Sequence, residues 1–204
     1  MKQKKTDRRS TRTQRLLGEA LVALLLEKRY HTITTQDILD RADVGRSTFY
    51  EHYWDKEDLL TSQAEWLIES LDNQFEASPI PHSPDTSVWL PSLALFEHIS
   101  AHYPLYQALL RGGAVALMTQ ALQQELRVHV KTQLQATWKQ NQEDDLLDAA
   151  AAYVVGTFVT LVQWWLETEM KWSPGRMEIL FRQLMLPGVR QLLEGNKREA
   201  KQGS

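Results

Sequence analysis

Between Thr34 and Lys56 the sequence TTQDILDRADVGRSTFYEHYWDK gathers the side chains best suited to grip a polyanion. Arg46, Ser47, Thr48, Tyr50 and His52 fall in one short segment, and each can hydrogen-bond a phosphate oxygen or a base edge. Lys56 follows Asp55 at the start of the next helical pattern, where free backbone N–H groups and the helix dipole favour a phosphate. An ordinary helical hairpin with a solvated polar face would carry similar polar residues. The aromatics argue against it: Phe49, Tyr50, Tyr53 and Trp54 exceed what one short helix can bury, so part of that surface must face outward.

Other chemistry finds less support. His98 and His102 stand four apart, the spacing of a zinc-binding pair, but no further ligands complete a set, and two packed histidines are expected instead. No serine elbow, phosphate loop or pair of acids in a plausible cleft occurs, so neither catalysis nor a cofactor is expected. Cysteine is absent from the 204 residues, which excludes a disulfide framework and a thiolate metal site.

The elements needed to position this segment read as helices throughout. Leu17, Leu21, Leu24 and Leu25 recur at helical spacing between about Ser10 and Lys28. Thr34 with Asp37 makes a capping box that opens a short helix ending at Ala42. A Val44-Gly45 turn leads into a second short helix from about Arg46 to Tyr53. Ile38, Ala42, Val44 and Phe49 are placed to lock the two at a fixed angle. Asp55 with Asp58 caps a longer helix reaching about Phe75. The three prolines between Ser78 and Pro84 mark a loop or boundary. Helical patterns resume from Pro91 to His102, from Pro104 to Arg111-Gly-Gly, from Ala114 to Asn141 and from Asp145 to Met170. A last one starts near Pro174, with Met177, Leu180, Phe181, Leu184 and Leu192 inward and a bend at Pro187-Gly188. No strand and no repeat is evident.

Charge is unevenly spread. The chain carries −3 overall, yet residues 1–15 hold seven basic side chains against Asp7 alone. A basic arm on an acidic body points to one end that meets a polyanion. Hydrophobic residues at 43% and charged residues at 24% match a globular protein. The longest apolar stretch, read around Leu21–Leu26, is too short to cross a bilayer, and no signal-peptide pattern follows the arm. A cytoplasmic protein without membrane association is expected.

Residues 10–60 resemble the DNA-binding domain of the TetR family, through Val44-Gly-Arg-Ser-Thr-Phe-Tyr-Glu-His-Tyr-Trp-Asp-Lys-Glu-Asp-Leu59 and the leucine-rich helix before Tyr30. The resemblance implies an all-α fold: a three-helix helix-turn-helix domain followed by a helical-bundle dimerisation and ligand domain. It implies DNA contacts from Thr34, Thr35, Arg46, Ser47, Thr48, Tyr50, His52, Tyr53 and Lys56, with Arg46, Ser47 and Thr48 nearest the bases. Three residues depart from the family pattern. Asp43 replaces the turn glycine, Gly45 replaces a capping serine, and Glu51 should point away from phosphate or accept from cytosine. More loosely, Leu95-Phe-Glu-His-Ile, Tyr106-Gln-Ala-Leu-Leu, Val155-Gly-Thr-Phe-Val and Gln163-Trp-Trp-Leu-Glu resemble regulators similar to the dihydroxyacetone-kinase activator.

The expected organisation is a basic flexible arm (1–9), the DNA-binding domain (10–57), a regulatory and dimerisation domain (58–194) and a disordered tail (195–204). Ala149, Ala152, Gly156 and Thr160 form a small-residue stripe that, with Leu184 and Gly188, is the expected homodimer interface. Family likeness suggests an effector pocket among Phe96, Met118, Trp138, Tyr153, Phe158 and Trp165. One of Trp164 and Trp165 should face inward and the other outward, since neighbours on a helix point about 100° apart. The expected function is a homodimeric repressor that binds a palindromic double-stranded DNA operator and is released by a small-molecule effector. The alternative is an activator or adaptor whose C-terminal domain binds a partner protein.

Overall fold

The computed structural model describes residues 8–63, 65–66, 89–137 and 144–202. Residues 1–7 of the basic arm, the proline segment from Ser78 to Pro84, and Trp138 lie outside the described residues. Among the described residues there is no strand. The chain runs through α1 (Arg8–Glu27), a 3-10 turn (Tyr30–Thr32), α2 (Thr35–Ala42) and α3 (Arg46–Tyr50), and then α4, described over 56–63. It continues through α5 (Ser92–Ala101), α6 (Tyr103–Gly112), α7 (Val115–Thr137), α8 (Asp144–Glu167) and α9 (Pro174–Gln202). These helices make two compact units, one of residues 1–67 with 102–121 and one of residues 68–101 with 122–204.

In the first unit, Leu17, Leu21, Leu24 and Leu25 of α1 are buried together with Ile38, Leu39, Ala42, Phe49, Leu59 and Leu60. Burying a leucine of this kind is worth about 1.5–3 kcal/mol, so these few positions set the angle between the short helices. Thr34 closes the start of α2 as expected. Its Oγ1 accepts from the Asp37 N–H at 3.1 Å, and its own N–H donates to Asp37 Oδ2 at 2.7 Å. Two ion pairs bind α2 to the end of α1: a bidentate Arg41–Glu27 pair at 2.6 and 2.9 Å, and Lys28–Asp37 at 2.9 Å. Neither pair was expected from the sequence.

Helix α6 belongs to this unit and packs on α1 and on the 3-10 turn. Pro104 sits in its first turn, as its missing N–H allows, and Gly113 ends it in the left-handed region at φ 79°. Gly112 is needed for a different reason. A Cβ there would stand 3.1 Å from the Tyr30 backbone nitrogen, so its absence lets α6 approach the turn. Because α5 stops at Ala101, His102 is the N-cap of α6 and does not share a helix with His98.

In the second unit, α5 and α8 both pack on α9. Met177, Phe181, Met185 and Val189 form an inward stripe at a spacing of four residues. Leu184 and Leu192 were expected inward but are exposed, because each lies off that stripe. Leu93 of α5 likewise faces out, while Leu95, Phe96 and Ile99 are buried. Helix α9 continues through Pro187 and past Gly195 to Gln202. Lys131 of α7 pairs with Asp144 and Asp148 of α8, both at 2.9 Å. By length and composition α8 is apolar enough to cross a membrane, a longer apolar stretch than the one expected around Leu21–Leu26. It lies instead within this unit, with Val154, Val155, Phe158 and Trp165 fully or almost fully buried.

Candidate nucleic-acid interface

The turn between α2 and α3 accommodates two of the three departures noted in the sequence. Asp43 takes the glycine's place in the left-handed region at φ 52°, ψ 47°, a conformation aspartate tolerates better than most residues. Its N–H still donates to the Leu39 carbonyl. Gly45 is the N-cap of α3 in ordinary extended backbone and offers no side-chain bond. The first turn of α3 therefore has open N–H groups.

Helix α3 is shorter than expected, ending at Tyr50, and a turn through Glu51 and His52 follows. Arg46 and Ser47 are exposed, Thr48 and His52 half-buried, and Tyr50 is 53% exposed with its ring edge-on to Phe49. Glu51 is exposed on the same short segment. Thr34 and Thr35 lie at the start of α2, with the Thr34 hydroxyl engaged by Asp37 at 2.8 Å.

Two candidates sit differently from the rest. Tyr53 is only 6% exposed, and its ring packs on Phe49 at 5.8 Å between centroids. Burial pushes its phenol pKa up, opposed by a hydrogen bond with Ser62. Lying four residues after Phe49, it shares that residue's inward face, so it shapes the site from beneath. Lys56 also turns inward. Its ammonium donates to the Ile33 carbonyl at 2.7 Å and to the Tyr30 carbonyl at 3.1 Å, and lies 4.6 Å over the Tyr30 ring.

Two other residues stand outside the expected DNA contacts. Trp54 is 87% exposed, the outward aromatic that the crowding implied without saying which one it was. Gln36 of α2 accepts a hydrogen bond from Arg46 Nη2 at 2.7 Å, a contact across ten residues with no signature in the spacing.

Of the expected effector-pocket residues, three come together within the second unit. Phe96, Phe158 and Trp165 are fully buried and packed ring against ring, with centroids 5.0 and 5.5 Å apart. Met118 packs with the other unit's core, beside Leu117. Tyr153 is exposed and donates to the Leu184 carbonyl at 3.0 Å. Trp165 points inward and donates its indole N–H to the Trp172 carbonyl at 2.9 Å, whereas Trp164 is 39% exposed. The small-residue stripe does converge. Ala152, Gly156, Thr160 and Leu184 line a shallow apolar groove of about 380 Å³ between α8 and α9, with Tyr153, Thr157 and Leu161. Ala149 and Gly188 are exposed on the same two helices.

Two family models match. Residues 18–62 match the bacterial regulatory proteins of the tetR family, and residues 89–186 match a transcriptional regulator C-terminal region of that family. Over 145 residues the chain is 28% identical to an uncharacterized HTH-type transcriptional regulator, YxbF of Bacillus subtilis, covering 66% of this chain and 38% of that protein. Over 63 residues it is 32% identical to the HTH-type dhaKLM operon transcriptional activator DhaS of Lactococcus lactis, covering 31% of this chain and 32% of that one. The chain thus spans about a third of the length of these two relatives. The crystal structure of a TetR transcriptional regulator from Streptococcus agalactiae superposes with a TM-score of 0.59 at 25% identity, covering 88% of this chain and 97% of the other. The chain belongs to the TetR family of transcriptional regulators.

Proposed function

We propose that this regulator reads a palindromic DNA operator as a homodimer, each copy placing α3 in a major groove, and that it represses by occupancy. The observation that carries the reading is the outward face of α3 and its flanking turns. Arg46, Ser47, Tyr50 and Trp54 are exposed there, beside a helix start whose N–H groups have no side-chain cap. Thr35, Thr48 and His52 flank that face. The basic arm adds sequence-independent attraction. Pairing two copies through the α8–α9 groove supplies the second half-site that a single short reading helix needs. This reading makes the protein a binder with no catalytic role, working in the cytoplasm where operators are.

One relative, DhaS, is a transcriptional activator by name, and this favours a second reading, activation through a partner protein. The filled aromatic core among the expected pocket residues supports a protein input over a small effector seated there.

A gel shift with the DNA upstream of the protein's own gene tests the function. Binding should appear and should fall steeply between about 50 and 200 mM salt. A complex insensitive to salt and to competitor DNA sequence would overturn it. Transcription from that DNA with added protein separates the two readings, falling for a repressor and rising for an activator.

A further inference from the structure

Arg46 opens α3, where the helix dipole disfavours a cation close to the backbone and the side chain must extend away. It does not extend freely. Arg46 Nη2 donates to Gln36 Oε1 at 2.7 Å, and Gln36 Nε2 donates to Asp40 Oδ1 at 2.7 Å, one turn further along α2. The order of these bonds fixes the amide. Only an oxygen can accept from the guanidinium, and only the NH2 can donate to the carboxylate. Asp40 therefore orients Gln36, and Gln36 holds Arg46. The negative charge stays one residue removed from the reading surface.

We propose that Gln36 is a positioning residue that sets the base specificity of Arg46. The proposal rests on the DNA-reading function above. A guanidinium has five N–H donors in a rigid plane, and one bond to Gln36 leaves a fork free. With the plane fixed, that fork matches the two acceptors of a guanine edge, O6 and N7, better than it matches any other base pair. An unheld arginine at the same place would swing between base edge and phosphate, binding DNA comparably but discriminating less. Gln36 thus acts on what Arg46 recognises more than on how tightly the protein holds DNA.

The test uses the full-length protein and a pool of random-sequence DNA duplexes. The wild type selects a consensus, and affinities for that duplex and its single-base-pair variants are then measured by fluorescence anisotropy. Arg46→Ala identifies the guanine position that depends on Arg46. Gln36→Ala should reduce discrimination at that same position by about tenfold, the scale of one bidentate base contact, with other positions and the melting temperature unchanged. Asp40→Ala should move in the same direction, while Asp40→Asn, which keeps an acceptor for Gln36, should behave as wild type. Unchanged discrimination in Gln36→Ala overturns the proposal, as does a loss at a position that Arg46→Ala leaves alone, which would make Gln36 a base reader itself. If the wild type selects no sequence, the DNA-reading function falls and this inference with it.

Discussion

The Lys56 ammonium lies 4.6 Å above the Tyr30 ring and 3.1 Å from the same residue's carbonyl oxygen, so its charge serves the turn between α1 and α2. With the bond to Ile33 it ties the start of α4 to the segment that launches α2. Lys56→Met keeps the aliphatic stem and deletes these bonds. Hydrogen bonds from a charged group are each worth about 1.5–3 kcal/mol when lost, so thermal melting should show a clear destabilisation. DNA affinity should fall through misplacement of α2 and α3, with its salt dependence nearly unchanged. A variant that melts as wild type while the slope of log affinity against log salt drops by about one would assign Lys56 to phosphate instead.

The ring beneath that ammonium carries its own signal. Burial pushes the Tyr30 phenol pKa up to about 12, and its buried hydroxyl has no hydrogen-bond partner among the described residues. Tyr30→Phe keeps the ring under Lys56 and removes the stranded oxygen. The variant should be as stable as wild type or more so, by up to about 1 kcal/mol in denaturant unfolding. A loss of more than that amount would show the hydroxyl to be satisfied in solution.

These two residues mark where sequence reasoning succeeds and where it stops. The capping box at Thr34 and Asp37 and the buried leucines of α1 were legible because each depends on residues within one turn or one helical period, whereas the left-handed Asp43 was legible only through the family's turn glycine. Lys56 reaches back to residues 23 and 26 positions away, and Gln36 meets Arg46 across the turn. Such contacts depend on the angle between helices, which spacing along the chain does not encode. The groove stripe of Ala152, Gly156 and Thr160 was legible for the opposite reason, being one face of one helix. Aromatic content grouped Phe96, Phe158 and Trp165, which do pack together, but it does not by itself separate the wall of a cavity from a filled core.

Asp37 should give the DNA-binding unit an acid-sensitive step. Its carboxyl pKa is held well below the usual range, first by Lys28 and then by the Thr34 backbone N–H and hydroxyl. A carboxylate depressed in the fold stabilises it above the unfolded pKa of about 4, and this contribution fades as pH falls below that value. Asp37→Asn should therefore melt lower than wild type at pH 7, and the gap should narrow steadily as pH is lowered from about 4. A constant gap from pH 7 to pH 3 would mean the carboxylate's charge is irrelevant.

Glu178 should act with the opposite sign. Burial raises its carboxyl pKa, against the opposing pulls of a Ser92 hydrogen bond and the Arg182 charge, and Oε2 has no hydrogen-bond partner among the described residues. Arg182 stands 3.8 Å away, too far for a good hydrogen bond. An acid whose folded pKa exceeds its unfolded value near 4.3 loses stability as pH climbs between the two, and the loss persists above them. Glu178→Gln should thus raise the melting temperature at pH 7.5 and change it little at pH 4. A lower melting temperature at pH 7.5 would show that the Arg182 pair outweighs the burial.

Leu184 offers the sharpest test of pairing through the α8–α9 groove. It lines that groove yet is 51% exposed within one copy, so a glutamate there meets water and should not unfold the monomer. In a two-fold pairing the same patch faces itself, and the substitution places two like charges near a shared apolar surface. Leu184→Glu should therefore shift the protein from dimer to monomer in light scattering at micromolar concentration, with its helical content retained. Operator affinity should fall together with the dimer, because each monomer then reads a single half-site. A Leu184→Glu protein that stays dimeric moves the interface off this groove, while one that is monomeric yet binds the operator like wild type breaks the link between pairing and DNA reading.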